Sequence, residues 1–203
     1  MTFGDDVEAW QKVDPADSWV FDKMVVAKMS NVPCGPRGVD VPYPAYYCVR
    51  PTTNVLGNGA GARIQMLYRN TESIELGYFW AKKLDGEHIS IDYVDGKQAL
   101  AVRGTRALNM PLTRFDKWEK VATSIPLPEI LHGIAKKYSV INCEFIGGTL
   151  IEVHLRANLD FAEGHSEMIP RWYYEPLKDI KGYTYIPDVG YEDDRVGRYI
   201  SSW

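Results

Sequence analysis

The chain has 203 residues, 45% of them apolar and 25% charged, a balance that belongs to a folded globular protein and excludes a disordered or fibrous one. That length suits one domain, or two small lobes packed together, and its core needs no covalent staples. The formal charge is −4 and no basic run exceeds two residues, which argues against a nucleic-acid or anionic-membrane surface.

Three cysteines, Cys34, Cys48 and Cys143, are odd in number and far apart, so a reducing compartment is expected rather than a disulfide framework. Met1-Thr2-Phe3-Gly4-Asp5-Asp6 carries acids where a secretory signal needs positive charge, and no apolar stretch is long enough to span a bilayer. The expected location is the cytoplasm. Thirteen tyrosines and six tryptophans are read as bulky core and interface packing.

In chain order, the first predicted element is a helix from Trp19 to Met29, capped by Asp17 or Ser18, with Phe21, Met24, Val25 and Met29 on one stripe. Asn31 to Pro36 breaks it. Ala45 to Arg50 reads as a strand that Pro51 ends, and 54–61 forms a loop with glycines at 57, 59 and 61. Leu76–Leu84, His88–Val94 and Lys97–Val102 read as a strand meander, with Asp85-Gly86 and Asp95-Gly96 as hairpin turns. Pro128 opens a helix expected to reach about Tyr138. A last hairpin joins Val140–Phe145 to Leu150–Leu155 around Gly147-Gly148, and the stretch from Phe161 onward has no clear pattern. The expected class is α+β with mainly antiparallel sheets carrying helices on one face.

Two constellations bear on chemistry. Arg50-Pro51-Thr52-Thr53-Asn54, followed by Gly57, Gly59 and Gly61, sets a guanidinium at a strand end just before glycines. Backbone N–H groups in such a loop cradle phosphate oxygens, and an ordinary glycine-rich turn satisfies the same sequence. Neither the Walker nor the Rossmann spacing is present. In the last hairpin Glu152, His154 and Arg156 alternate with Val153 and Leu155 and so share one strand face. A three-residue loop at 147–149 pairs Glu144 with Glu152 on that face, whereas a two-residue loop at 147–148 puts the two carboxylates on opposite faces. Adjacent carboxylates call for compensation, by a divalent cation or by Arg156 neutralising a solvated strand face. His88, His132 and His165 show no partner at ligand spacing and are read as structural, while Cys48 and Cys143 are expected to be buried and inert.

Taken in order, these pieces resemble the ATP-grasp superfamily of ATP-dependent carboxylate–amine ligases. Asp22-Lys23 to Lys28 followed by Val32-Pro33 looks like its opening helix, and Val49-Arg50-Pro51 like the strand whose cation contacts phosphate. Asp85-Gly86-Glu87-His88-Ile89-Ser90-Ile91-Asp92 is similar to the segment after the interlobe hinge, and Glu144 with Glu152-Val153-His154-Leu155-Arg156 looks like the metal-binding hairpin. The resemblance spans about residues 20 to 160. His154 departs from it, standing where the family has Asn, and so do Ala81 and Lys82, where hinge acids are common. About 20 residues precede the opening helix, which implies a compact version without the usual N-terminal domain.

The resemblance implies two lobes whose antiparallel sheets clamp a nucleotide, approximately 15–80 and 81–160 of a single domain, with 161–203 as an extension packed on it. It implies ATP and Mg²⁺ as cofactors, with Glu144, Glu152 and His154 as metal ligands. Lys23, Arg50, Gly57, Gly59, Gly61, Lys82 and Leu84 would bind the nucleotide, the glycine loop closing as a lid, and Arg50 and Arg156 would act in catalysis. The expected partners are a small-molecule carboxylate with an amine, or a peptide acceptor, and neither nucleic acid nor membrane. A binding module on the same fold that ligates nothing is the alternative.

Overall fold

The computed structural model describes residues 1–53, 61–108, 110–162, 164–188 and 194–201. Its helices are α1 (Asp6–Lys12), α2 (Lys23–Met29) and α3 (His132–Ala135). Its strands are β1 (Cys34–Pro36), β2 (Ala45–Pro51), β3 (Arg63–Leu67), β4 (Tyr78–Lys82), β5 (His88–Val94) and β6 (Lys97–Arg106), then β7 (Phe115–Lys120), β8 (Val140–Ile146), β9 (Thr149–His154), β10 (Glu167–Trp172), β11 (Tyr183–Pro187) and β12 (Arg195–Ser201). They form a four-stranded sheet, β1-β4-β2-β3, and an eight-stranded sheet, β11-β12-β10-β7-β6-β5-β8-β9. Every described pairing is antiparallel. The expected α+β class with mainly antiparallel sheets is the one found.

Alternation along the strands explains the layering. In β5, Ile89, Ile91 and Tyr93 point into the main core, with Cys143 and Phe145 of β8, Leu131 and Ile134 near α3, and Ala9 of α1. The other face of β5 carries His88, Ser90 and Asp92, all buried despite their polarity. Burial of that many polar groups requires partners, so this face marks the site. The small sheet divides in the same way: Tyr47 and Val49 pack with Leu67, Ile74 and Trp80, while Cys48 and Arg50 face the large sheet.

The predicted first helix is two elements. Residues Pro15–Phe21 form a 3₁₀ helix, and α2 starts after Asp22, whose side chain accepts from Met24 N and Val25 N at 2.9 Å each. Asp17, one of the two residues expected as the cap, is instead buried and takes Lys137 Nζ at 2.9 Å and the Tyr138 hydroxyl at 3.1 Å. The second predicted helix is also shorter, a 3₁₀ turn at Glu129–Leu131 and the four residues of α3. Gly133 lies inside it, and a glycine weakens so short a helix.

The two Asp-Gly pairs diverge. Asp95-Gly96 is a two-residue hairpin turn, both φ values positive (48° and 75°), joining Val94 to its partner Lys97. Asp85-Gly86 joins different sheets and is no hairpin. Its role is close approach: a Cβ on Gly86 would lie 2.6 Å from Gly147 Cα, in the β8–β9 turn. The β8–β9 hairpin also combines what the sequence left as alternatives. Its loop has two residues, since Ile146 pairs with Thr149, yet a bulge after Glu144 brings Glu144 opposite Glu152. Both carboxylates therefore share a face. Beyond 161, β10, β11 and β12 extend the large sheet.

Candidate functional site

Between the two sheets lies a cavity of about 240 Å³. Strand order spreads its floor across the large sheet: Glu152 on β9, Glu144 on β8, His88 on β5, Arg106 on β6, Phe115 and Trp118 on β7, and Trp172 on β10. The small sheet seats over the β9 end, where the Arg50 guanidinium donates through Nη2 to the Ile151 carbonyl at 2.9 Å. Among the described residues six Lys or Arg side chains line the cavity against three carboxylates, although the whole chain carries −4. Positive charge is concentrated here, which suits an anionic ligand.

At the β9 end the charges are paired. Lys23, at the start of α2, is buried and its Nζ lies 3.0 Å from Glu152 Oε2. The other Glu152 oxygen faces His154 Nε2 at 3.5 Å. His154 Nδ1 in turn lies 3.0 Å from Asp6 Oδ1, and the second Asp6 oxygen accepts from Arg156 Nη2 at 2.7 Å. Burial pushes the Asp6 carboxyl up, but the His154 hydrogen bond and the His154 and Arg156 charges outweigh it and hold it below the usual range. Asp6 thus orients His154 and Arg156 from α1, a helix with no clear signal in the sequence.

In the middle, His88 is a bridge rather than a structural histidine. Arg106 Nη2 lies 3.1 Å from its Nδ1, and Glu144 Oε2 lies 3.0 Å from its Nε2. A guanidinium only donates, so Nδ1 accepts and Nε2–H donates to Glu144. Burial would push the Glu144 carboxyl up; the His88 hydrogen bond and the charges of His154 and Lys23 hold it well below the ordinary carboxylate range. Beneath it, Asn142 Nδ2 donates to Ser90 Oγ and to Asp92 Oδ1, both at 2.8 Å, and the Asn158 amide donates to Asp92 at 3.0 Å.

Arg50 differs from the paired cations. It is buried and has no carboxylate within ion-pair distance among the described residues, and its Nε has no hydrogen-bond partner there. Its guanidinium lies 5.3 Å from the centre of the Phe79 ring. A buried, unsatisfied donor on a cavity wall is poised for an acceptor from a ligand. Cys48 also lines the cavity, and burial pushes its thiol up, as it does for Cys143, so neither is a ready nucleophile.

Of the residues expected to bind nucleotide, Lys23, Arg50, Lys82 and Leu84 line this cavity, Lys82 and Leu84 where the chain crosses between sheets. Gly61 has a left-handed φ of 79° and precedes Ala62 on the wall. Gly57 and Gly59 lie outside the described residues. Glu144, Glu152 and Arg156 line the cavity, whereas His154 is buried and absent from the lining. Among the described residues no group of three or more His, Cys, Asp and Glu side chains is placed to hold a metal ion. Glu144 and Glu152 do present hard oxygens side by side, and Mg²⁺ is commonly held by one or two carboxylates with phosphate and water completing its shell. That donor set fits Mg²⁺.

No protein-family model matches the sequence, and comparison with curated proteins finds no match. Similar solved structures include a protein of the ATP-grasp superfamily from Archaeoglobus fulgidus, with 12% identity and a TM-score of 0.49, covering 90% of this chain and 64% of that one. An L-amino acid ligase from Bacillus licheniformis is similar at 10% identity and a TM-score of 0.49, with 91% and 67% covered. D-alanine–D-alanine ligase from Bacillus anthracis is similar at 16% identity and a TM-score of 0.39, with 71% and 60% covered. The chain thus spans less than two thirds of the archaeal protein's length. Among the described residues no helix is long and apolar enough to cross a membrane.

Proposed function

We propose that the cleft binds ATP with Mg²⁺ and activates a carboxylate as an acyl phosphate for attack by an amine or another nucleophile. The observation that carries this reading is Arg50: a buried guanidinium with an unsatisfied Nε, on the wall of a basic cleft opposite the in-register pair Glu144 and Glu152. In this reading Arg50 donates to phosphate oxygens, Lys23 offsets their charge from the start of α2, and the chain at Lys82 and Leu84 borders the base. Glu144 and Glu152 would hold Mg²⁺, which when bound draws off charge from the phosphates. Arg156, held by Asp6, faces the transferred phosphoryl group or the substrate carboxylate. A carboxylate oxygen attacks the γ-phosphorus and the bond to the ADP oxygen breaks. The nucleophile then attacks the acyl carbon, losing its proton, and inorganic phosphate departs.

Arg50→Ala tests the clamp. It should weaken ATP about ten- to a hundredfold, the worth of charge-assisted hydrogen bonds, and leave adenosine nearly unaffected. Melting without ligand controls for the lost Ile151 contact. Equal losses for ATP and adenosine would make Arg50 a structural residue only.

One observation favours a second reading, a nucleotide-binding module that ligates nothing. Glu152 is engaged by Lys23 and Glu144 by His88, so the carboxylate pair is compensated within the protein. Release of ADP that depends on an added carboxylate and amine separates the two. Its absence across a broad panel, with ATP still bound, selects the module.

A further inference from the structure

The end of the cavity farthest from β9 differs in kind from the phosphate end, and the proposed ligase reaction leaves it unused. Arg106 closes β6 and lines the cavity. Among the described residues its guanidinium has one hydrogen bond, to the His88 ring nitrogen at 3.1 Å, and no carboxylate within ion-pair distance. A guanidinium carries five N–H donors, so most of its capacity is uncommitted. Lys23, Arg156 and Arg195, by contrast, each hold a carboxylate at 2.7 to 3.0 Å.

Beside Arg106 stands an aromatic wall. The Phe115 and Trp118 ring centres are 4.4 Å apart, and both rings meet His88 edge-on, at 5.1 and 5.5 Å. Gly104 makes this possible. In register it lies between His88 and Trp118, and a Cβ there would fall 2.7 Å from Phe115 ring carbons and 2.9 Å from the Trp118 ring. The Arg106 guanidinium is 5.5 Å from the Phe115 ring centre, and Trp172 and Pro170 continue the wall on β10. A cation with spare donors touching an aromatic surface matches a ligand that joins an anion to a flat or bulky apolar body. The planar fork pairs bidentately with a carboxylate.

We propose that Arg106 and the Phe115–Trp118–Trp172 wall form the subsite for the carboxylate substrate, and that this substrate is an aromatic or bulky apolar carboxylic acid. As the acceptor of the phosphoryl group the inference rests on the ligase reading; as a binding site it stands alone. The same chemistry is carried by a free acid and by a peptide ending in an aromatic residue.

The test uses the full chain and calorimetry or ligand-observed NMR, with and without a non-hydrolysable Mg·ATP analogue. The probes are 3-phenylpropionate, acetate, 3-phenylpropanol and a Gly-Gly-Phe peptide. Phenylpropionate should bind the wild type at least tenfold more tightly than acetate, which lacks the ring, or the alcohol, which lacks the charge. Arg106→Leu should remove the advantage over the alcohol, and Trp118→Ala the advantage over acetate. Tighter binding of the peptide than of the free acid assigns the site to a chain terminus, and the reverse to a small molecule. The wild-type probe series alone decides the case if a variant fails to fold. Phenylpropionate binding no better than acetate, or unchanged in Arg106→Leu, overturns the proposal. ATP binding measured on the same wild type reports separately on the nucleotide reading, so either can fail without the other.

Discussion

The two ends of the cleft solve opposite problems with similar residues. Toward β9, Lys23 meets Glu152, and Asp6 holds His154 and Arg156, so each of these charges has its countercharge in the protein. Toward β10, Arg106 lies against Phe115 with only His88 as its hydrogen-bonded partner among the described residues. Paired buried charges fix geometry, and removing one partner strands the other in a medium of low dielectric. An unpaired cation beside an aromatic face fixes little and is available to a ligand. Mutations of the paired charges at the first end should therefore register as stability, and of Arg106 at the second as binding.

The largest expected effect breaks the paired end. Lys23 and Glu152 have side chains 4% and 10% exposed, so Lys23→Met takes the ammonium from a nearly buried carboxylate and leaves His154, at 3.5 Å, facing its other oxygen. The loss should be about 3–5 kcal/mol in urea unfolding, and Lys23→Met combined with Glu152→Gln should recover much of it. A loss below about 1 kcal/mol, typical of exposed ion pairs, would mean that this end is not held by its charges.

Much of the fold was legible because it follows alternation and turn chemistry. The β5 run His88-Ile89-Ser90-Ile91-Asp92-Tyr93 and its Asp95-Gly96 turn are local patterns, and they appear where expected. The cavity lining was legible only where a motif is local, as at Lys23, Arg50 and the Glu144–Glu152 hairpin. His88 was read as partnerless because Glu144 lies 56 residues away and Arg106 lies 18 away, joined only by strand order. Asp6 reaches His154 and Arg156 across 148 and 150 residues. A signal was nevertheless present: His88, Ser90 and Asp92 put three polar groups on one face of a strand whose other face is apolar. Asp85-Gly86 misled for the converse reason. Its left-handed preference serves a close approach to Gly147 as well as it serves a hairpin.

A middling effect is expected at the aromatic end. Gly104→Ala forces a methyl group into the Phe115 and Trp118 rings, which must shift or carry the main chain with them. Overpacking of this kind costs about 1–3 kcal/mol. Binding is the sharper readout, because displaced rings no longer flank Arg106. Phenylpropionate affinity should fall relative to acetate, whereas Mg·ATP stabilisation should change little at the opposite end. A variant that loses both together would show that the two ends are one coupled unit.

The smallest effect concerns Asp92, at the floor between the ends, and its sign differs from that of the paired carboxylates. Burial pushes the Asp92 carboxyl above its ordinary value, and the hydrogen bonds from Asn142 and the Asn158 amide only partly offset this. A carboxyl with a raised folded value holds its proton more tightly in the native state than in the unfolded chain. Its contribution to stability is therefore unfavourable above the folded value, and it disappears as pH falls below the ordinary 3.8. Asp92→Asn keeps an oxygen to accept from Asn142 and Asn158 and removes the charge. The variant should be at least as stable as the wild type at pH 7, with the difference shrinking as pH is lowered toward 4 in parallel urea titrations. A variant that is less stable at pH 7 would mean that the ionised carboxylate is needed there, through the Coulombic attraction of Arg156 and His154, and would extend the charge-held region from β9 to β5.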